Sequence, residues 1–279
     1  MEPASGETFI RPRPTDRRPT RHHLPVTDLR ARIRAGETLI GVFSDLASPL
    51  AAELCGKAGF DWIVLDLEHG TATEADLLGL LYAVGTTPMA PIVRAQSAER
   101  LRVGRALDLG AAGVMLPQLQ SAAEVRQAVA YLRYPPAGAR GLALRTRGAD
   151  MGALGHADVA RVVNERVVGI VQIESRGSVA AADEIASMDE VDVLFVGPSD
   201  LSHALGVPGR FDDETYVAAL RTVADACERH GKAAGVLLYD TMALARHQEL
   251  GFRFIGLGSE GSFVSAGAKA MLAAAGRGG

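Results

Sequence analysis

Several residue types are scarce in this 279-residue chain, and each scarcity narrows what the protein can be. Its two cysteines, Cys55 and Cys227, lie far apart within apolar patterns, which predicts reduced core thiols rather than a disulfide framework. No apolar run reaches the ~18 residues of a membrane span, and no secretory hydrophobic segment opens the chain. The net charge of -4 gives no electrostatic reason to expect nucleic acid or an anionic membrane as a partner. We therefore expect a cytoplasmic protein.

A repeated alternation of apolar runs and amphipathic segments occupies the chain from residue 38 onward. The runs are short and rich in β-branched residues, and they cover 39–45, 62–68, 91–95, 113–118, 167–174, 191–197, 233–239 and 254–258. Strands of this kind that alternate with helices are typical of parallel sheets covered by helices. Eight units favour an α/β fold of the closed (β/α)8 type, the TIM barrel.

The main alternative fold is a doubly wound open sheet. Such a sheet usually carries a glycine-rich fingerprint after its first strand, and the chain has SDLASPLAAEL there, without glycine. Residues 1–35 are rich in proline and arginine and lack periodicity, so we expect a mobile extension there and a single barrel domain over 36–279.

Polar side chains gather where the predicted strands end, which is where barrel enzymes place their chemistry. The second run ends in Asp66, Glu68 and His69, and the third ends in Arg94. Arg94 could hold a carboxylate or an enolate oxygen, or it could form a structural salt bridge with Asp66 or Glu68. His69 could act as a general base whose tautomer is set by a neighbouring acid.

Two carboxylates follow consecutive strands, Glu174 after the fifth run and Asp200 after the sixth. Neighbouring strands lie about 4.8 Å apart, so both side chains could reach one cation, and two carboxylates with open positions suit Mg²⁺ or Mn²⁺. The structural alternative is that Glu174 pairs with Arg176 and Asp200 caps a helix. The three lysines, 57, 232 and 269, all lie away from strand ends, which disfavours Schiff-base chemistry.

Five motifs, LDLEHG, PIVR, RYPPAGARG, QIESR and FVGPSDLS, occur in an order and spacing that resemble one family over residues 36–275. It comprises the class II, metal-dependent pyruvate aldolases of the 2,4-dihydroxyhept-2-enedioate and 2-keto-3-deoxy-sugar-acid type. The resemblance implies a barrel of the phosphoenolpyruvate/pyruvate type. It also implies a homohexamer in which the C-terminal helix is exchanged between subunits.

The resemblance also implies roles for individual residues. Glu174 and Asp200 match the metal ligands, for Mg²⁺ or Mn²⁺ and less readily Co²⁺ or Zn²⁺, and Arg94 matches the arginine at the keto oxygen. His69 matches the catalytic base and Asp66 the acid that supports it. The substrate-binding positions are matched by Gln172, Gly197, Pro198 and Ser199. The chain departs from the family at 142–156 and at 259–263, both of which we expect to face the aldehyde part of the substrate.

The function that follows is reversible cleavage of a 4-hydroxy-2-keto acid to pyruvate, or a close 2-keto acid, and an aldehyde. One alternative is a lyase for CoA thioesters such as malyl-CoA or citramalyl-CoA, or one of the citrate lyase type, which His69 disfavours. Another is a biosynthetic enzyme whose enolate attacks a different acceptor. The third is a non-catalytic barrel that only binds a ligand.

Overall fold

The structure, a computed structural model that describes residues 28–277, contains a closed barrel of eight parallel strands in the order of the sequence. The strands are β1 Leu39–Ser44, β2 Trp62–Asp66, β3 Ala90–Arg94, β4 Gly113–Leu116, β5 Val168–Ile173, β6 Val193–Val196, β7 Ala233–Leu238 and β8 Phe252–Ser259. Each predicted run corresponds to one of these strands. The TIM-barrel prediction is confirmed, and the open-sheet alternative is wrong because β1 pairs with both β2 and β8.

The helices pack around the outside of the barrel, except α1. They are α1 Leu29–Arg34, α2 Pro49–Ala58, α3 Leu77–Val84, α4 Arg100–Asp108, α5 Ala122–Val129, α6 Val159–Arg166, α7 Arg176–Ala180, α8 Ala182–Ala186, α9 Pro198–Ala204, α10 Glu214–His230, α11 Leu244–Glu249 and α12 Glu260–Ala274. In the described part of the chain, no helix combines the length and apolar character needed to cross a bilayer.

Helix α10 begins and ends at residues that favour helix boundaries, Asp213 and Gly231. The side chain of Asp213 accepts a hydrogen bond from the Thr215 amide at the helix start, and Gly231 ends the helix at φ 64°. Thr73, in contrast, does not cap α3. Its amide and hydroxyl both donate to Asp76, and the helix begins only at Leu77.

The lumen of the barrel is packed by side chains that recur at every second strand residue. Trp62 stacks on Phe254 with ring centroids 4.2 Å apart, and Phe195 meets both rings edge-on. Gly41 makes room for this layer, because a Cβ there would lie 2.0 Å from the Trp62 ring. Below the carboxyl ends of the strands, the barrel is therefore a solid core rather than a channel.

The predicted boundary of the N-terminal extension is wrong in part. Residues 1–27 lie outside the described residues, but α1 is a helix that packs against the amino-end opening of the barrel. Leu29 and Ile33 are buried in the lumen cluster, and Arg30 donates to Asp192 at 2.7 Å. Two apolar side chains and one buried ion pair hold this segment, which its charged composition alone did not indicate.

Of the two segments expected to face the aldehyde, 142–156 lies away from the carboxyl ends of the strands, whereas 259–263 begins there, at the end of β8. Arg147 donates to the Leu109 carbonyl and stacks over Tyr82, so 142–156 lies near the amino ends of the strands. Glu260 is buried between β1 and α2, where Ser44 donates to it at 3.0 Å. The expectation for 142–156 is therefore wrong. In 259–263, Glu260 is buried away from the lumen, while Ser259 and Gly261 donate to Asp45 just beyond the carboxyl end of β1.

Candidate active site

The candidate site lies in the opening at the carboxyl ends of the strands, which we call the mouth. Lumen-facing residues alternate along each strand, so the series Trp62, Val64, Asp66 ends β2 and Ala90, Ile92, Arg94 ends β3. The register of the two strands places Asp66 opposite Arg94. The sheet itself therefore brings an acid and a guanidinium together at the rim of the mouth.

Arg94 is held by two carboxylates. Its Nε and Nη2 donate to the two oxygens of Asp66 at 2.8 and 2.6 Å, and its Nη1 lies 3.3 Å from Glu68 Oε2. Burial alone would raise the pKa of Asp66, but the hydrogen bonds and charge of Arg94 outweigh it and hold that pKa below its usual value. The salt bridge considered from the sequence exists, and it fixes the guanidinium at the mouth.

The expected pairing of Asp66 with the His69 ring is not formed. Asp66 Oδ1 instead accepts from the backbone amides of Glu68 and His69 at 3.0 and 3.3 Å, so it positions the His69 main chain. The nearer acid to the imidazole is Glu68, with Oε1 3.9 Å from His69 Nε2. The His69 side chain is 64% exposed, which leaves it free to meet a substrate. The physical reason is the strand register, which places Asp66 opposite Arg94 so that its carboxylate pairs with the guanidinium.

Glu174 is the buried acid of the site, with only 6% of its surface exposed. Gln172 Nε2 donates to Oε1 at 2.5 Å, and the amide and side chain of Gln118 each donate to Oε2 at 3.3 Å. Burial, together with the neighbouring Asp200 and Glu68 carboxylates, raises the pKa of Glu174 to about 7, although the hydrogen bond from the Gln118 amide and the charge of Arg94 lower it. Arg176 bonds the carbonyls of Ala204 and Leu205, so the proposed Glu174–Arg176 pair is not observed.

The turn after β6 is shaped around Glu174. A Cβ on Gly197 would lie 2.5 Å from Glu174 Oε1, so a side chain at 197 would displace the carboxylate. Pro198 begins α9, and Asp200 follows in its first turn, exposed to the mouth. The absence of a side chain at 197 thus lets a buried and an exposed carboxylate share one corner of the barrel.

This corner suits a hard divalent cation. The Asp200 charge raises the pKa of both Glu174 and Glu68 and the Glu68 charge raises that of Glu174, so the carboxylates repel one another here although Arg94 offsets part of the effect. Gln172 Oε1 is buried without a hydrogen-bond partner. Within residues 28–277 no preformed cluster of three or more His, Cys, Asp or Glu ligands exists. The carboxylates of Glu174 and Asp200 and the free amide oxygen of Gln172 are oxygen ligands of the kind that hard divalent cations take.

A cavity of about 140 Å³ occupies the mouth, which is room for a small acid. It brings together the predicted His69, Arg94, Gln172, Glu174, Gly197, Pro198, Ser199 and Asp200, and adds Phe43, Phe195, Leu237 and Tyr239. Asp66 does not line the cavity, and it contributes to the site by holding the Arg94 guanidinium. The four added residues, like Glu68 and Gln118, were not assigned from the sequence. The alternation of β1, β6 and β7 could have found those four, because their lumen-facing series leads to them.

The three lysines lie outside the site, as expected. Lys57 pairs with Glu53 on α2, and Lys232 donates to the Met188 carbonyl ahead of β7. Lys269 lies on α12. Among residues 28–277, no lysine therefore lines the mouth, where imine formation would need one.

Comparison with known proteins relates the chain to one family of aldolases and lyases. Residues 39–266 match the model of the HpcH/HpaI aldolase/citrate lyase family. The chain is 37% identical over 246 residues to a hydroxypyruvate/pyruvate aldolase of Pseudomonas aeruginosa, covering 86% of this chain and 90% of that protein. It is 36% identical over 246 residues to a 5-keto-4-deoxy-D-glucarate aldolase of Shigella boydii, covering 87% and 95%.

A solved structure extends the similarity to three dimensions. The crystal structure of an HpcH/HpaI aldolase/citrate lyase family protein from Burkholderia cenocepacia J2315 superimposes with a TM-score of 0.83 at 33% identity. It covers 88% of this chain and 98% of that one.

Proposed function

The chain belongs to the HpcH/HpaI aldolase/citrate lyase family, and on that premise we propose that it is a metal-dependent aldehyde-lyase. It reversibly cleaves a 4-hydroxy-2-keto acid to an aldehyde and pyruvate or a close 2-keto acid. The observation that carries this proposal is the buried Glu174, with a pKa of about 7, beside Asp200 and within the electrostatic reach of Arg94. The names of the relatives, which are aldolases, support the same reaction class.

Glu174 and Asp200 would hold the cation, which when bound supplies a Lewis acid for the keto oxygen. Mg²⁺ or Mn²⁺ fits these oxygen ligands better than Co²⁺ or Zn²⁺. Gln172, hydrogen-bonded to Glu174 through Nε2, orients the carboxylate and keeps its own Oε1 free at the site. The backbone of Gly197, Pro198 and Ser199 lies beside Glu174 and would bind the carboxylate of the 2-keto acid.

Arg94 supports the bond-breaking step. As the C3–C4 bond breaks, negative charge moves onto the keto oxygen, and a guanidinium already oriented by Asp66 stabilises that charge without reorganising. Because Asp66 and Glu68 fix Arg94 from behind, its geometry is set before the substrate binds. In the reverse direction the same interaction stabilises the carbanion equivalent that adds to an aldehyde.

His69 is the proposed proton acceptor for the C4 hydroxyl, directly or through one water. Its ring is exposed at the rim, in the segment that follows β2, and β2 is paired with the strand that carries Arg94. Its amide is anchored by Asp66 and its ring lies near Glu68. Asp66 therefore contributes to catalysis by positioning both Arg94 and the main chain of His69.

The C-terminal helix supports the proposal of a homohexamer with exchanged helices. Phe263, Val264, Met271 and Leu272 are exposed large apolar side chains on α12, whose main contacts with its own barrel are to β1, α2 and β8. An apolar helix of 15 residues that is exposed along most of its length favours burial against another subunit. Cytoplasmic localisation stays a prediction.

The test is a screen of aldehydes with pyruvate, read out by the mass of the adducts, using chelated enzyme and enzyme with metal restored. We expect adducts only after Mg²⁺ or Mn²⁺ is added. Full activity in the chelated enzyme would contradict the proposal. Acetyl-CoA release from malyl-CoA or citramalyl-CoA would favour the thioester lyase, and activity only with another acceptor class would favour the biosynthetic alternative. Calorimetry without divalent-cation binding would favour a non-catalytic barrel.

A further inference from the structure

Asp45 follows β1 at the carboxyl end of the barrel, and the reaction proposed above gives it no role. Strand β1 is paired with β2 on one side and with β8 on the other. The loop that carries His69 follows β2, and helix α12 follows β8. Asp45 therefore lies between the loop of the proposed base and the helix of the proposed subunit contact.

The side chain of Asp45 is bound to the start of α12. Its Oδ2 accepts from Ser259 Oγ at 2.7 Å, and its Oδ1 accepts from the Gly261 amide at 2.8 Å. A Cβ on Gly261 would lie 2.8 Å from Oδ2, so this close approach depends on the absence of a side chain at 261. Both carboxylate oxygens are thus committed to the start of one helix.

The backbone of Asp45 is bound to the loop of His69. Its carbonyl oxygen accepts from both the amide and the hydroxyl of Thr71, at 3.1 and 3.0 Å. At the other end of the loop, Asp66 Oδ1 accepts from the Glu68 and His69 amides at 3.0 and 3.3 Å. His69 is thus held between two anchors, and the second anchor is the Asp45 carbonyl.

The loop between these anchors is short and tightly turned. Gly70 passes so close to the Asp66 carbonyl oxygen that a Cβ on it would lie 2.4 Å from that oxygen. Asp45 itself lies one residue beyond Ser44, the last residue of β1 that is in register with β2. Its bonds to α12 therefore extend the order of β1 to the residue on which Thr71 depends.

We infer that Asp45 is a positioning residue that ties the start of α12 to the loop of His69. Because its carboxylate is held by α12, its carbonyl oxygen is a fixed acceptor for Thr71, and the loop keeps His69 at the rim of the mouth. Displacing a catalytic group by about 1 Å can cost a reaction ~10²-fold in rate. This inference rests on the proposed function, in which His69 accepts the proton of the C4 hydroxyl.

The test is Asp45→Ala in the metal-loaded enzyme, with pyruvate and one fixed aldehyde. We expect kcat to fall about 10-fold or more, because His69 loses its fixed position. The KM for pyruvate and the Kd for Mn²⁺, measured by calorimetry, should stay nearly unchanged. The reason is that Glu174 and Asp200 follow β5 and β6, on the other side of the barrel from β1.

Two further variants test the link itself. Thr71→Val removes the hydroxyl that donates to the Asp45 carbonyl and leaves the contacts with α12 intact. It should lower kcat in the same way but less, because the Thr71 amide still donates. Asp45→Asn keeps an oxygen for the Gly261 amide and turns an amide group toward the Ser259 hydroxyl, which can accept, so it should restore most of kcat.

Asp28→Ala is the matched control for a purely structural role. Asp28 also accepts from the start of a helix, at the Ala31 amide of α1, so its loss should lower Tm and leave kcat unchanged. If Asp45→Ala and Thr71→Val both keep the kcat of the unaltered enzyme, the inference is wrong. Equal losses of kcat and of Mn²⁺ binding in Asp45→Ala would also contradict it. If the unaltered enzyme forms no adduct with metal present, the proposed function itself fails.

Discussion

Glu174 illustrates how one residue can carry both structure and chemistry. Its carboxylate is buried, receives three hydrogen bonds from Gln172 and Gln118, and has a pKa raised from 4.5 to about 7 by burial and by the Asp200 and Glu68 charges. In a metal-free protein, a proton therefore stays on Glu174 well above the pH at which an unfolded chain releases it. That proton must leave before the carboxylate can bind a cation.

We predict a pH-dependent stability that arises from Glu174 in the chelated protein. The folded form retains the proton between the unfolded pKa of 4.5 and the folded pKa of about 7, so the contribution present below 4.5 is lost as pH rises through 7. The shift corresponds to a change on the order of 3 kcal/mol. The measurement is the difference in Tm between the unaltered protein and Glu174→Gln across pH 5 to about 8.

Added Mg²⁺ or Mn²⁺ should reverse this loss above pH ~7, because the deprotonated carboxylate is the ligand. The rise in Tm with metal should be larger near pH ~8 than near pH ~5.5, and absent in Glu174→Gln. A Tm difference that does not vary with pH in the chelated proteins would contradict the assignment of the raised pKa to Glu174.

Arg94 is the second residue whose replacement has a definite expected result. Arg94→Ala removes the proposed stabilisation of charge on the keto oxygen and should lower kcat about 10²- to 10³-fold, as for lost oxyanion donors. It also leaves the buried Asp66 without its partner, so Tm should fall. Steady-state kinetics and thermal unfolding measure the two effects.

Arg94→Lys distinguishes charge from geometry, since lysine cannot donate to both oxygens of Asp66. We expect kcat to stay well below that of the unaltered enzyme. The control is Arg126→Lys, which alters an exposed pair with Glu184 and should change neither kcat nor Tm. Unchanged turnover in Arg94→Ala would exclude the proposed role.

At the scale of elements, the barrel depends on how β1, β2 and β8 fill the lumen. The Trp62 indole crosses the backbone of Gly41 and stacks on Phe254 of β8. Strands joined on both sides in a closed barrel cannot move apart to make room for an added atom. The same packing lies directly below the mouth, because Trp62 and Asp66 are the first and last residues of β2 and face the same side of the strand.

We predict that Gly41→Ala destabilises the protein by about 1–3 kcal/mol or more, because the new Cβ would overlap the Trp62 ring. Gly104→Ala is the matched control. Gly104 lies inside α4 with nothing within 4 Å of the added Cβ, and alanine should stabilise that helix by about 0.5–1 kcal/mol. Chemical denaturation measures both, and equal stability of the two variants would contradict the packing argument.

At the scale of the whole molecule, one helix covers the amino end of the barrel, and another helix on the outside leaves apolar side chains exposed. Helix α1 covers the amino-end opening through Leu29, Ile33 and the Arg30–Asp192 pair. On the outside, α12 presents apolar side chains to solvent, although its first turn is anchored by Asp45 and by Phe263 stacked on Phe60. The first turn of α12 is held by contacts within the chain, whereas the rest of the helix is exposed. This pattern is expected of a helix that the proposed hexamer would bury.

We predict that Met271→Asp/Leu272→Asp prevents the proposed hexamer, because two charges would be buried at the subunit contact. Light scattering should show six chains for the unaltered protein and fewer for this variant. Thr222→Asp, an exposed change on α10, adds charge elsewhere and should keep the assembly. An unchanged mass for the double variant would exclude α12 from the interface.

The sequence by itself determined the barrel and the chemical types at its carboxyl end. Alternation with a period of two and helical spacing are local properties of the sequence. They therefore suffice to predict the eight strands, the polar residues at the strand ends, and helix α10 with its end at Gly231. The same alternation also leads to Tyr239, although the residue was not assigned from it.

Only the tertiary structure decided which of these groups meet. Strand register pairs Asp66 with Arg94, so Glu68 is the acid nearest the His69 ring. Helix packing placed the 142–156 segment at the opposite end of the barrel, and α1 became a cover rather than part of a tail. The physical reason is that a hydrogen bond or ion pair depends on distances of a few ångströms between residues far apart in the chain. Those distances are fixed by barrel closure, which no local pattern records.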